Sequence, residues 1–508
     1  MSDPRERLSI PGVAPSLRRG VAWTAGATGF VLLFVLGLDL WGALPEERFL
    51  PSDFQAARLL ANSCSRSSVA LISVVMASLF LAIPLTANMY TAQLVDLFVD
   101  SWIHRLLLGQ FVFSAAFSLW VSSMVNETSQ PTELLGVALF LVLLSLALLL
   151  PFLFSVLRSL DPDTIIARVT DSVVRSMRVR RGQPIVHAQF LLATRIRNLG
   201  NILLRTVDRA DRDTSLAAVE ALESCLDRYA ERKDSFPKEW FDPDPRLFPG
   251  FSADAIGFQR NDRTWVELEL LRQLNRGYAA AATRAPDVIS ALAETQRGVA
   301  LRATQRGDEP ARELAMRFFN NFLRESIRRR DLRALYDVLY QLRLFALKLW
   351  ECDPERVVQL ARHMAEYGVL AERAGLPFAH DLVAYDLSAV LAEVAREEHP
   401  EVEALAQIVL GIEREAGEAR LSPSMLKARL QLLGGLAAAG RKDLAQRAED
   451  TLAAAAHPAL RTAASELLAV ENPVYQEVTD RQRDLDWVPP VRREWIERAV
   501  DAHAATQA

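Results

Sequence analysis

The sequence predicts an all-α membrane protein, four transmembrane helices followed by a large cytoplasmic α-helical domain. Three observations carry that expectation. Four apolar runs lie within the first 157 residues, amphipathic segments of helical length recur between proline and glycine breakers from Asp262 onward, and no stretch alternates as a strand does.

The four runs are Val21 to Leu44, Val69 to Tyr90, Leu106 to Val125 and Leu134 to Leu157. Each is near the roughly 20 residues that a ~30 Å hydrocarbon core demands of a helix. The last carries no charge at all, a pattern unlike that of a soluble helix. The first follows Arg18 and Arg19 and resembles a signal peptide in that respect. Its apolar stretch exceeds the roughly 7 to 15 residues of a signal core, and three more runs follow, so an uncleaved anchor is expected.

Arginine asymmetry sets the expected orientation. Arg5, Arg7, Arg18 and Arg19 precede the first run, Arg105 sits between the second and third, and Arg158, Arg168, Arg175, Arg178, Arg180 and Arg181 follow the last. The opposite side has Arg48, Arg58 and Arg66 in its first loop and no Lys or Arg from Asn126 to Glu133. The positive-inside rule then puts both termini in the cytoplasm of a bacterial inner membrane. The formal net charge of -5 excludes the strongly basic footprint of a nucleic-acid binder.

The expected organisation is a cytoplasmic tail over 1–20, the membrane region over 21–157, a membrane-proximal helical region over 158–235, a linker over 236–260 and a cytoplasmic helical domain over 261–508. In the proximal region Asp161-Pro162-Asp163 starts a helix near Thr164 to Arg181, Gly182 and Pro184 separate it from a second near Ile185 to Arg209, and a third runs from Thr214 to Lys233. The linker is read from Pro237, Pro243, Pro245, Pro249 and Gly250. Beyond it, breakers at Gly307-Asp308, Asp353-Pro354, Gly375 to Pro377, His399-Pro400, Ser422-Pro423, Gly440 and His457-Pro458 divide consecutive helices. Short links favour antiparallel pairs, so the domain is either a stack of helical hairpins of the α-solenoid kind or an irregular bundle. Cys64, Cys225 and Cys352 match neither a disulfide framework nor a metal-ligand spacing and are expected as free thiols.

Polar groups at membrane depth are functional candidates because they are costly there. Asn88, Asp96, Asp100 and His104 recur at multiples of four, on one face of the helix leaving the second run. Such a face could bind a cation or relay protons; as the wet side of an interfacial helix it needs neither. Gln110, Ser114, Ser118 and Ser122 form a stripe on the third run, suited to close helix packing or to a pore lining, with packing preferred. Arg168, Arg175, Arg178, Arg180 and Arg181 suit anionic headgroups and equally serve topology alone. The arginines from Arg324 to Arg333, interrupted by Glu325 and Asp331, read as a solvated helix face.

Enzyme chemistry finds little support. His363, His380-Asp381 and Asp386 have some likeness to the metal ligands of His-Asp phosphohydrolases, but Asp381 near Pro377 reads first as a helix-start acid. No His-Glu-x-x-His, Gly-x-Ser-x-Gly, phosphate loop or dinucleotide fingerprint is present. No enzyme activity, cofactor or metal is expected.

Tyr90-Thr91-Ala92-Gln93-Leu94 and Leu108-Gly109-Gln110-Phe111, followed by Ile196-Arg197-Asn198-Leu199 to Leu204-Arg205, Asp213-Thr214 and Asp227-Arg228, resemble a bacterial family of predicted integral membrane proteins, domain of unknown function 2254. The resemblance runs over residues 20 to 235. Ala92-Gln93 stands where the family has Pro-Arg, Asp211-Arg212-Asp213 replaces its Asn-Asp-Pro turn, and its β-rich insert is missing. The family implies a membrane location and brings no activity. Two function classes follow: a membrane-anchored helical scaffold or regulatory protein, and an oligomeric channel or transporter component with a polar path along the second and third runs. The expected partners are the lipid bilayer, a cytoplasmic protein and a second copy of the chain, with no nucleic acid.

Overall fold

The computed structural model describes residues 53–89, 102–127, 131–159, 161–178, 182–414, 421–453, 455–474 and 481–507. Among them the chain is all-α, with 18 α-helices, three short 3-10 turns and no strand. Two compact units divide it, residues 1–168 and 169–508.

In the first unit three helices pack against one another: α1 (Phe54–Met89), α2 (Trp102–Met124) and α3 (Thr132–Ser159). Each contains a segment long and apolar enough to cross a membrane. Only 17%, 33% and 22% of those segments is buried within the protein, so most of their apolar surface has no protein to cover it. Leu59, Phe80, Leu106, Phe113, Trp120, Leu146 and Leu157 all face outward. Lipid is the solvent in which such a surface costs nothing. Inside, Phe111 and Phe152 meet edge to face with centroids 5.8 Å apart, packed with Val75 and Val156, and a second contact joins Ala57, Ala61, Val121, Leu135 and Ala138.

The expected first span, Val21 to Leu44, lies outside the described residues, as do Asp96, Asp100, Arg180 and Arg181. The second begins earlier than hydropathy suggested. α1 starts at Phe54, and Arg58 and Arg66, expected in a loop, are exposed positions on that helix. Apolar length marks what hydrocarbon can hold, whereas a helix continues through Ser, Arg and Ala wherever its backbone bonds stay satisfied.

The second unit is continued from α4 (Pro162–Ser176), whose residues from Val169 onward belong to it, by α5 (Ile185–Asp208), α6 (Arg212–Ala230), α7 (Ala253–Asn261), α8 (Trp265–Arg284), α9 (Asp287–Gln305), α10 (Glu309–Arg329), α11 (Leu332–Trp350) and α12 (Pro354–Arg373). Then come α13 (Pro377–Val394), α14 (Glu401–Leu410), α15 (Pro423–Ala438), α16 (Lys442–Leu452), α17 (His457–Ala469) and α18 (Pro490–Gln507). Their neighbours follow two successions. α5, α8, α10, α12, α14 and α16 touch in that order, and α6, α9, α11, α13, α15 and α18 do the same.

Tight reversals produce this order. At Ala210, Arg263, Gly307, Arg330, Gly375 and Gly440 the helix ends in a left-handed residue, and the next N–H reaches the carbonyl five positions back, as from Asp211 to Thr206 at 2.9 Å and from Asp308 to Ala303 at 3.0 Å. Asp211, Asp308 and Asp331 then cap the following helix, accepting from the N–H of Thr214, Ala311 and Ala334. One residue thus closes a helix and its successor opens the next. The α5–α8 crossing is the closest approach: a Cβ on Gly200 would lie 2.3 Å from Gln273 Oε1, and one on Gly277 would lie 2.5 Å from Leu203 Cδ2.

Residues 236–260 are not a linker. Trp240, Phe241, Leu247 and Phe248 are buried, with Trp240 stacked on Phe236 at 4.7 Å and close to Trp265. Gln189 donates to the carbonyls of Trp240 and Asp242, Trp265 Nε1 donates to that of Trp240, and Arg197 donates to that of Leu247. Buried Lys233 reaches Asp308 at 2.6 Å and Glu267 at 2.7 Å. Prolines forbid a long helix here, but the aromatic side chains between them still bury.

Gly307 (φ +69°) has nothing within 4 Å of an added Cβ, so its substitution isolates backbone strain. Gly307→Ala should destabilise the unit by about 1 kcal/mol, whereas Ala210→Gly, relieving the same strain at φ +55°, should leave stability unchanged or raised. Thermal unfolding followed by circular dichroism of the detergent-solubilised chain checks the opposite signs; equal losses would refute this account of the reversals.

Candidate functional site

The serine stripe on α2 meets α1. Ser68 Oγ lies 3.4 Å from Ser114 Oγ and 3.2 Å from Ser118 Oγ, all three buried, and Ser122 donates to Asn62 Oδ1 at 3.1 Å. The partners come from the polar first turns of α1, so α1 and α2 run past each other in opposite directions along the seam. Hydroxyls bonded to one another in this way bring two helix backbones close. Gln110 continues the stripe, and its buried Nε2 has no partner among the described residues. Ser68 and Asn62 completed the seam without any sequence signal, since they precede the run read as a span.

Of the face read across Asn88, Asp96, Asp100 and His104, Asn88 belongs to the last turn of α1 and His104 to the first turn of α2. The other two lie outside the described residues.

α4 is amphipathic. Ile165, Ile166, Val169, Val173 and Val174 are buried, and Arg168, Arg175 and Arg178 are exposed. Ser172 on its inner side accepts through its carbonyl from Arg195 at 2.7 Å. Three of the five arginines singled out in sequence are therefore free to face solvent or headgroups.

The acidic and imidazole groups of α13 diverge. His380 Nδ1 meets Glu372 at 2.8 Å and its ring lies against Gly368. Asp381 is not a capping residue: it accepts from Arg414 and from Ser422, at 2.9 Å and 2.7 Å. Asp386, fully buried, accepts from Arg481 through both oxygens, at 2.6 Å and 2.8 Å. Half-exposed His363 turns to Glu366. Successive residues of a helix point about 100° apart, so these groups serve different neighbours. Among the described residues no three His, Cys, Asp or Glu side chains could hold a metal ion.

The partner of Asp386 belongs to a strap, residues 481–489, laid across α11, α13 and α15. Arg481 sits over the rings of Tyr336 and Tyr340, at 4.3 Å and 5.1 Å, and donates to the Tyr336 carbonyl. Burial opposes its charge, and the Asp386 carboxylate outweighs that and raises the guanidinium above its ordinary value. Asp486 accepts from Tyr385 at 2.6 Å and from Lys427 at 2.7 Å, and Gln431 donates to the Leu485 carbonyl. Burial and the neighbouring Asp486 push the Tyr385 phenol well up, so it serves as a donor.

The seam has a direct test. With Cys64 replaced by Ala, the pair Ser68→Cys and Ser118→Cys should form a disulfide on mild oxidation, because the present oxygens are 3.2 Å apart and Cβ atoms about 3.8 Å apart suffice for a bridge. Failure to cross-link would show that the two helices do not meet there.

No curated protein matches the chain. One solved structure, a circular tandem repeat protein with novel repeat topology and enhanced subunit contact surfaces, aligns over 90% of this chain and 100% of its own. At 14% identity and a TM-score of 0.26 that likeness carries no argument. The family comparison falls on the first unit and the start of the second, and stops before Ile196 to Arg228, which the motif resemblance includes. Residues 19–192 match the family model described as predicted membrane protein, DUF2254: over the part of its length that holds the apolar helices, this chain is similar to that family of membrane proteins of unknown function.

Proposed function

We propose that this protein is a scaffold of the bacterial inner membrane: four N-terminal spans anchor it, both termini lie in the cytoplasm, and residues 169–508 form an α-solenoid-like stack that docks a cytoplasmic protein. The observation that carries the reading is the pair of helix successions, in which each helix touches mainly those just before and after it in its row. Such stacking leaves long faces open to a partner, the property that repeat scaffolds use. Exposed Arg168, Arg175 and Arg178 support an inner-leaflet position, each worth about 1 kcal/mol near anionic lipid. The channel alternative drew on the α2 stripe, whose serines are engaged with α1.

Cysteine placement provides the test without mutagenesis. Cys64 and Cys225 are buried, and burial pushes the Cys225 thiol up to about 12, whereas Cys352 is exposed. A membrane-impermeant maleimide at pH 8 should leave intact spheroplasts unlabelled and modify Cys352 after permeabilisation. Labelling from outside would overturn the orientation. Affinity purification of the full chain after in-cell cross-linking should recover the same soluble protein repeatedly; recovery of lipid and the chain alone would remove the docking role.

A further inference from the structure

Between the strap and the helices it crosses lies a cavity of about 530 Å³, within the range of small-molecule sites. Arg343, Arg481, Arg483 and Arg492 line it, against Glu393 and Asp484. The strongest observation concerns what those guanidinium groups lack. Arg481 spends its terminal nitrogens on Asp386 and a carbonyl, yet its Nε, on a side chain 2% exposed, has no partner. Arg343 reaches Asp386 only at 3.6 Å, and its buried Nε is also unpaired. Arg483 lies over the Trp487 ring, and neither it nor Arg492 forms an ion pair among the described residues. Burial lowers the Arg492 guanidinium below its ordinary value, with Glu393 opposing and Arg396 adding to the effect.

A single exposed arginine needs no partner but water. Here four converge on one concavity, and a buried donor without an acceptor costs about 1–3 kcal/mol. An anion in the cavity would relieve both the unpaired donors and the like-charge repulsion. The fork of a guanidinium matches the oxygens of a phosphate, and several forks call for more charge than one carboxylate carries. Tyr340, Tyr385 and Trp487 add flat walls beside the charged ones.

We propose that this cavity binds a small molecule bearing a phosphate group, held by Arg343, Arg483 and Arg492 above the Asp386–Arg481 pair, with its remaining part against the aromatic walls. The assignment goes beyond the scaffold reading and does not depend on it.

Calorimetric titration of the full chain in phosphatidylcholine nanodiscs with inorganic pyrophosphate, at constant ionic strength, should give saturable binding. That binding should weaken about tenfold or more in Arg343→Gln and Arg483→Gln, and stay unchanged in Arg328→Gln, an exposed arginine outside the cavity. Arg343→Lys, which keeps the charge and loses the fork, should bind with intermediate strength. Should the glutamine variants fail to fold, Val474→Cys in a Cys352→Ser background reports separately: this exposed position lines the cavity, and pyrophosphate should slow its maleimide labelling. Nanodiscs containing phosphatidic acid distinguish the sources, since loss of pyrophosphate binding there marks a lipid headgroup as the natural ligand and its persistence marks a soluble one. No saturable binding, equal weakening in Arg328→Gln, or unprotected labelling would each overturn the proposal.

Discussion

A chain that must reverse direction between long helices within a few residues can do so only by placing a residue in the left-handed region, where Cβ and the following carbonyl crowd each other. The second unit accepts that constraint at Ala210, Arg263, Gly307, Arg330, Gly375 and Gly440. Everything beyond follows from it. Because reversals are tight, consecutive helices lie side by side; because they do, apolar stripes such as Leu314, Phe318 and Phe322 on α10 find partners on adjoining helices. At Ala210, Arg263 and Arg330 the strain is borne by a residue with a side chain, and at the first and last of these an aspartate in the next position contributes a cap.

Charge plays a complementary part at the joints. Lys233 ties the aromatic segment to α8 and to the start of α10, Asp381 holds Arg414 and Ser422, and Arg429 donates to the carbonyls of Val409, Leu410 and Ile412 at the end of α14. Buried pairs of this kind add little net stability against well-packed apolar residues. Their directional bonds do restrict which helix end can sit where, and burial lowers even Arg429 to about 10, a measure of how completely water is removed from that joint.

Much of the fold was legible because helices announce themselves locally. Asp353-Pro354, Ser422-Pro423 and His457-Pro458 start helices as their chemistry requires, and Gly307, Gly375 and Gly440 end them. Two readings missed for a common physical reason. Prolines around Trp240 and the polar turns around Ser68 signal the absence of one thing, a long helix or an apolar span, and were read as the absence of structure. The stripe Ser114, Ser118 and Ser122 was visible from spacing, but its partners were not, since hydrogen-bond complementarity between helices leaves no periodic trace. Arg343, Arg481, Arg483 and Arg492 were illegible altogether: about 150 residues separate the first from the last, and only the strap unites them.

The glycines at the α5–α8 crossing bear on how such a chain can change over generations. Along both rows a helix depends chiefly on its immediate neighbours, so a pair of helices gained or lost toward the C-terminal end disturbs little besides the new junction. Gly200 and Gly277 allow no such freedom, since even a methyl group there forces two backbones apart. Length variation among descendants of this chain therefore belongs at its distal end, with the α5–α8 crossing as the fixed point from which the rows are counted.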